Sequence, residues 1–206
     1  MSRPDSIDVP PHWQILAPAL PARDGAWPIR LHPSADFGDG QHPTTQLCLQ
    51  AIAALRPHAR PWRLLDFGSG TGILSIAGAL LGATVDAVEI DPSAIANADA
   101  NLRENAIAER VRQSTDLGAA AGTFDLVVAN ILRAVLLDFS VALTRLCGEQ
   151  GTLVLSGLVS TDVPEVTARF APLLRGERPE VYAREEWRAL VWRCGSRSRA
   201  AAPRGQ

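Results

Sequence analysis

Lysine does not occur in this chain: all 20 basic residues are arginine, set against 22 acidic residues for a formal net charge of −2. A GC-rich genome produces that bias because lysine codons are AT-rich; a lysine-modifying enzyme that spares itself produces it too. The arginines are scattered, so no electrostatic footprint for nucleic acid or an anionic membrane forms. Cysteine is scarce. Cys48, Cys147 and Cys194 are far apart, odd in number and without C-x-x-C spacing, so neither a zinc site nor a disulfide framework is supported and they read as three buried structural thiols. No apolar run is long enough to span a bilayer. Met1-Ser2-Arg3-Pro4-Asp5 lacks the apolar stretch of a signal peptide, and the expected location is the cytoplasm.

What is present suits one soluble domain with short extensions: 206 residues, 47% apolar and 20% charged. Residues 1–60 read as an N-terminal extension, a loop and a helix. In them, Trp13–Leu16 and Trp27–Leu31 form short strands, and a helix capped by Thr44 or Thr45 runs to Leu55. Residues 61–194 then alternate strand and helix. The strands fall at Arg63–Phe67, Thr84–Ile90, Val111–Ser114, Phe124–Ala129 and Thr152–Leu158. The helices fall at Ile73–Leu81, Pro92–Asn105, Ala134–Cys147 and Asp162–Leu173. Glu180–Arg184 and Trp187–Arg193 make a closing hairpin, and 195–206 is expected to be a disordered tail. Repeated βα units imply a mostly parallel sheet with helices on both faces. An antiparallel hairpin at its end makes a Rossmann-like, seven-stranded α/β plan that resembles the fold of class I methyltransferases.

The most informative segment is Asp66-Phe67-Gly68-Ser69-Gly70-Thr71-Gly72, between an apolar strand and a helix start. Glycines there let the chain turn tightly and let a ligand lie against the main chain. A dinucleotide fingerprint needs G-x-G-x-x-G, and Ile73 stands where its last glycine belongs, which argues against an NAD-dependent dehydrogenase. The D-x-G-x-G-x-G form is the pattern of S-adenosyl-L-methionine-dependent methyltransferases.

Ligands in such sheets sit beyond the carboxyl ends of the strands, and the candidate residues gather there. Gly68 and Gly70 expose backbone beside the methionine part of the cofactor, and Asp66 either supports the turn or reaches the ligand ammonium. Glu89, some twenty residues on, is placed to accept both ribose hydroxyls, with Ile90 packing on adenine. Asp91 starts the next helix. Asp116 lies where an adenine contact is usual, a loop cap being the other reading. Asn130 can accept from a substrate nitrogen or contact the cofactor, and it also suits a helix N-cap.

Phe37-Gly38-Asp39-Gly40-Gln41-His42-Pro43-Thr44-Thr45 is similar to the F-G-T-G-x-H-P-T-T signature of the PrmA-type methyltransferases, which trimethylate amino groups of a large-subunit ribosomal protein. Asp66–Gly72, Glu89-Ile90-Asp91-Pro92, Asn130-Ile131-Leu132, Leu155-Ser156-Gly157 and Glu185-Glu186-Trp187 resemble family motifs in the same order, from about His12 to Arg193. The resemblance implies that Thr45, Gly68, Glu89 and Asn130 contact S-adenosyl-L-methionine, with Phe37 and Gly38 near its methionine end. His42 reads as a structural loop histidine. The family carries an N-terminal substrate-recognition domain, and this chain is expected to begin at the linker that follows it. Asp39 replaces a small polar residue, Glu89 stands where Asp is usual, and Arg133-Ala134-Val135 replaces a Gly/Pro-containing turn. The expected reaction is methyl transfer to a protein amine, lysine or N-terminal, with ribosomal or other protein as substrate and a partner chain as one route to recognition. No metal is expected. A small-molecule N- or O-methyltransferase and a non-catalytic cofactor-binding subunit are the alternatives.

Overall fold

A computed structural model describes residues 6–33, 38–57 and 61–194. Phe37 and the expected tail at 195–206 lie outside the described residues.

The alternating half of the sequence builds one seven-stranded sheet. Its strands are β4 (Trp62–Phe67), β5 (Ala83–Val88), β6 (Val111–Ser114), β7 (Phe124–Asn130), β8 (Cys147–Val159), β9 (Glu180–Arg184) and β10 (Trp187–Arg193), in the order β6-β5-β4-β7-β8-β10-β9. The pairs from β6 to β8 are parallel, while β10 runs antiparallel to both β8 and β9. This is the architecture expected from the sequence. The order reverses between β4 and β7, so the chain parts there and leaves a crevice at their carboxyl ends. Central strands β4 and β7 are almost wholly buried, as strands covered on both faces must be.

Helices α1 (Pro43–Leu55), α2 (Ile73–Leu80) and α3 (Pro92–Glu104) cover one face with a shared core that includes Cys48, Ile52, Leu64, Ile76, Leu102 and Val128. Helices α4 (Arg133–Asp138), α5 (Ser140–Leu146) and α6 (Val163–Phe170) cover the other, around Leu65, Val127, Leu136, Leu143, Phe170 and Trp192. The single helix expected over Ala134–Cys147 is therefore two. It breaks at Phe139 (φ −90°, ψ 7°), whose ring packs on Phe67 with centroids 4.9 Å apart. Tertiary packing of that ring overrides a continuous helical pattern.

The N-terminal segment is more regular than expected. β1 (Ser6–Val9), β2 (Trp13–Leu16) and β3 (Trp27–Arg30) form a small sheet, and its Val9, Trp13, Ile15 and Ile29 join the first core. The Trp13 indole donates to the Leu49 carbonyl on α1 at 2.9 Å. No helix among the described residues is long and apolar enough to cross a membrane.

Candidate active site

A cavity of about 900 Å³ opens at the carboxyl ends of β4, β5, β6 and β7. Cofactor and small-molecule sites span roughly 300–1,000 Å³. Of the residues singled out in the sequence, it brings together Gly38, Thr45, Gly68, Gly70, Glu89, Ile90, Asp116 and Asn130.

Each arrives for a local reason. β4 ends in the glycine turn, where Gly68 takes φ +77°, and a Cβ on it would lie 2.2 Å from the Ile131 side chain. Only glycine meets both demands at that corner. The Gly68 and Ser69 amides donate to the Val88 carbonyl at 2.8 and 3.1 Å, and this ties the turn to the end of β5. Glu89 then caps the turn itself: its carboxylate accepts from the Gly70 amide at 2.9 Å and from the Ile90 and Asp91 amides at 2.8 and 3.0 Å. A carboxylate has about four acceptor positions, so three bonds leave capacity for a further donor. The carboxylate thus organises the glycine turn as well as facing the cavity. Asp91 caps α3 by accepting from the Ser93 amide at 2.8 Å, and Asp116 accepts from the Gly118 amide at 2.8 Å. Asp116 therefore serves as a loop cap while lining the cavity. Ile90, 81% exposed, stands at the rim.

Asn130 ends β7, and its Nδ2 donates to Thr45 Oγ1 at 3.4 Å. Its Oδ1 is shielded from solvent and has no hydrogen-bond partner among the described residues, an unmet acceptor on a residue of the cavity wall. The next residue is fixed by Gly157 (φ +82°): a Cβ there would lie 2.4 Å from the Ile131 carbonyl oxygen. The Asn130-Ile131 corner can approach β8 only because Gly157 has no side chain.

Asp66 departs from the sequence expectation. Among the described residues it neither lines the cavity nor bonds the turn amides; the structure buries it completely, with Oδ2 accepting from Ser75 Oγ at 2.7 Å and Oδ1 without a partner there. Burial pushes its carboxyl up to about 6, the Ser75 hydrogen bonds opposing and the Glu89 charge adding to the rise. The physical reason is strand alternation: Asp66 points to the face of Leu64 and α2, opposite Leu65 and Phe67.

The signature loop is docked from above. Thr71 Oγ1 donates to the Gly38 carbonyl at 2.8 Å, and Gln46 Nε2 donates to the Gly40 and Gln41 carbonyls at 3.0 and 3.1 Å. The cap of α1 is His42, not Thr44 or Thr45, because Pro43 takes the first helical position and moves the cap back one residue. His42 Nδ1 accepts from the Thr44 amide at 3.3 Å, and its ring meets Trp187 edge to face at 4.6 Å. Both line the cavity, as do Phe67, Leu132, Val135 and Phe139. Sequence reasoning had given these no place in the site. Trp187 had a signal in the hairpin, where Glu185 at φ 54° starts the return strand, but only the β8-β10-β9 order brings it opposite His42. Among the described residues, no group of three or more His, Cys, Asp or Glu side chains is placed to hold a metal.

The sequence model of the family described as ribosomal protein L11 methyltransferase (PrmA) matches residues 5–194. The chain belongs to this family. Among PrmA relatives, the ribosomal protein L11 methyltransferase of Geobacter sp. (strain M21) is 40% identical over 177 residues, covering 83% of this chain and 57% of that protein. Its counterpart in Bordetella parapertussis is 42% identical over 172 residues, covering 80% and 54%. The chain thus spans little more than half the length of the curated relatives it matches. The crystal structure of ribosomal protein L11 methylase from Lactobacillus delbrueckii subsp. bulgaricus superposes with a TM-score of 0.80 at 30% identity, covering 90% of this chain and 96% of that one. A precorrin-6y C5,15-methyltransferase from Geobacter metallireducens shares the fold at 16% identity, with a TM-score of 0.59.

Proposed function

We propose that this chain binds S-adenosyl-L-methionine in the cavity and transfers its methyl group to an amine of a protein, a lysine or an N-terminal amino group, in the cytoplasm. The observation that carries the reading is the juxtaposition, across one cavity, of the glycine turn at Gly68 with the unpartnered Oδ1 of Asn130. The residues fit the cofactor: backbone bared at Gly68 and Gly70, the spare acceptor capacity of Glu89 for ribose hydroxyls, Ile90 for adenine, and Thr45 and Gly38 over the methionine end. When bound, S-adenosyl-L-methionine supplies an activated methyl group.

The chain's own tasks are orientation and desolvation. A lysine amine with a pKa of about 10.4 must arrive neutral. Phe67, Leu132, Val135, Phe139 and Trp187 make the cavity wall apolar there, and an apolar wall favours the uncharged amine. Asn130 Oδ1 is placed to accept one N–H of that amine and so aim its lone pair. His42 is engaged as a helix cap, so the amine's proton leaves to water before the acceptor docks.

The names of the relatives make ribosomal protein L11 the first acceptor to try, and a partner chain is one route to its recognition. The decisive experiment is calorimetric titration with S-adenosylhomocysteine, followed by transfer of radiolabelled methyl groups to L11 and to lysine-containing peptides. One site per chain with micromolar affinity and label on an amine is the expected result. Absence of binding overturns the assignment; binding with label on an oxygen or on a small molecule overturns the acceptor class.

A further inference from the structure

Two thiols that the sequence keeps 47 residues apart meet at the end of the sheet remote from the cavity, their sulfurs 3.0 Å apart. Cys147 opens β8, ten residues before the Gly157 wall of the site, and Cys194 follows the last residue of β10. The main chain holds both in place. The Cys194 amide donates to the Gly151 carbonyl at 2.8 Å, and Cys147 pairs with Phe124 of β7. Gly151 keeps the lane between them open: a Cβ there would lie 3.0 Å from Cys147 Sγ and 2.7 Å from the Phe124 carbonyl oxygen.

The two sulfurs differ in access and in acidity. Cys147 is buried, whereas Cys194 is partly exposed. The hydrogen bond from Cys147 holds the Cys194 thiol below the usual thiol range; the same bond, with burial, holds Cys147 above it. Cys48 offers the contrast. It is fully buried in the first core, its thiol pushed up to about 12 by burial.

We propose that Cys147 and Cys194 form a redox site that closes an intramolecular disulfide when hydrogen peroxide oxidises the partly exposed Cys194. The Cys194 thiolate attacks the peroxide; an S–O bond forms, the O–O bond breaks, and a sulfenic acid and one water result. Cys147 sulfur then displaces the hydroxyl, which leaves as a second water with the Cys147 proton as the S–S bond forms. Two electrons pass from the sulfurs to one peroxide. A disulfide bond is about 2.05 Å long, so the sulfurs need to close by roughly 1 Å. The cross-link fastens the end of β10 to the start of β8 and closes a long loop in the unfolded chain.

The test is peroxide treatment of the reduced full chain, followed by thiol counting, peptide mapping without reduction, and thermal melting. The expected result is loss of two thiols, a cross-linked Cys147–Cys194 peptide, and Cys48 alkylated only after unfolding. Tm rises on the order of 5–10 °C, an increase reversed by dithiothreitol. Cys147→Ser, which leaves the cavity intact, shows neither the cross-link nor the rise. Higher oxidation of Cys194 with Cys147 still free, or a bridge to Cys48 or to a second copy, overturns the proposal.

Discussion

At the scale of single residues, the site depends on what is missing from a side chain as much as on what is present. Gly68→Val places branched carbon where the Ile131 side chain already stands, at a φ of +77° that valine resists. We expect S-adenosylhomocysteine binding to vanish while the chain still folds; near-normal affinity in titration rules out the glycine turn as the cradle. Asn130→Ala removes the unpartnered Oδ1. If that oxygen aims the acceptor amine, kcat falls by 10²-fold or more, as lost positioning commonly costs, while cofactor affinity changes little. The reverse pattern reassigns Asn130 to cofactor binding alone. Asp66 gives a pH signature instead. Its folded carboxyl sits at about 6, above the unfolded carboxyl of 3.8, so the native state binds the extra proton. The favourable contribution is complete below the unfolded value and is lost as pH rises through about 6. The stability of Asp66→Asn relative to wild type should therefore improve by on the order of 2–3 kcal/mol between about pH 4 and 7. A difference that stays flat across that range in denaturant titrations overturns the buried, ionising carboxylate.

Elements show where sequence is legible and where it is not. The strands β4 to β7 could be read in advance to within a residue or two: β4, β5 and β7 are largely apolar runs closed by a turn signal and followed by a helix, and β6 is the short strand that the alternation requires between α3 and the Gly/Ala loop. The placement of the glycine turn and Glu89 at the cavity could be read too, since it is set locally: a strand end, a tight turn, a carboxylate one βα unit later. Features made by distant packing were hidden. The helix break at Phe139 follows from its contact with Phe67, and β1 was missed because Ser6–Val9 is short and mostly exposed on an outer edge. His42 and Trp187 meet only because β10 inserts between β8 and β9. Gly157 left a trace, an isolated glycine inside a strand pattern, which marks close backbone approach. Gly157→Ala tests that reading at the level of the β7–α4 corner. It adds a left-handed backbone cost of about 1–2 kcal/mol, and it drives a methyl group onto the Ile131 carbonyl. The corner must move, and cofactor affinity should drop at least tenfold in calorimetry. Unchanged affinity shows that the Asn130-Ile131 corner does not shape the site.

The whole molecule raises the question of what residues 1–60 do for the rest. The N-terminal sheet and α1 do not form a separate layer. Trp13, Ile15 and Ile29 pack in one core with Ile52, Leu64, Ile76 and Val128, and the Trp13 indole is bonded to the main chain of α1. That helix in turn carries Thr45 to Asn130 and holds the signature loop through Gln46. The cavity roof and the sheet beneath it therefore share a hydrophobic core, and they should melt together. Trp13→Ala removes a fully buried indole and its hydrogen bond; large aromatic deletions from cores cost about 3–5 kcal/mol. The expected outcome is a single calorimetric transition shifted down by roughly 6–20 °C, at 2–4 °C per kcal/mol for a chain of this size. Loss of cofactor affinity should follow the loss of fold, with none preceding it. Two resolved transitions, with the 61–194 sheet melting at the wild-type temperature, would show instead that the N-terminal sheet is an independent unit resting on a self-sufficient core.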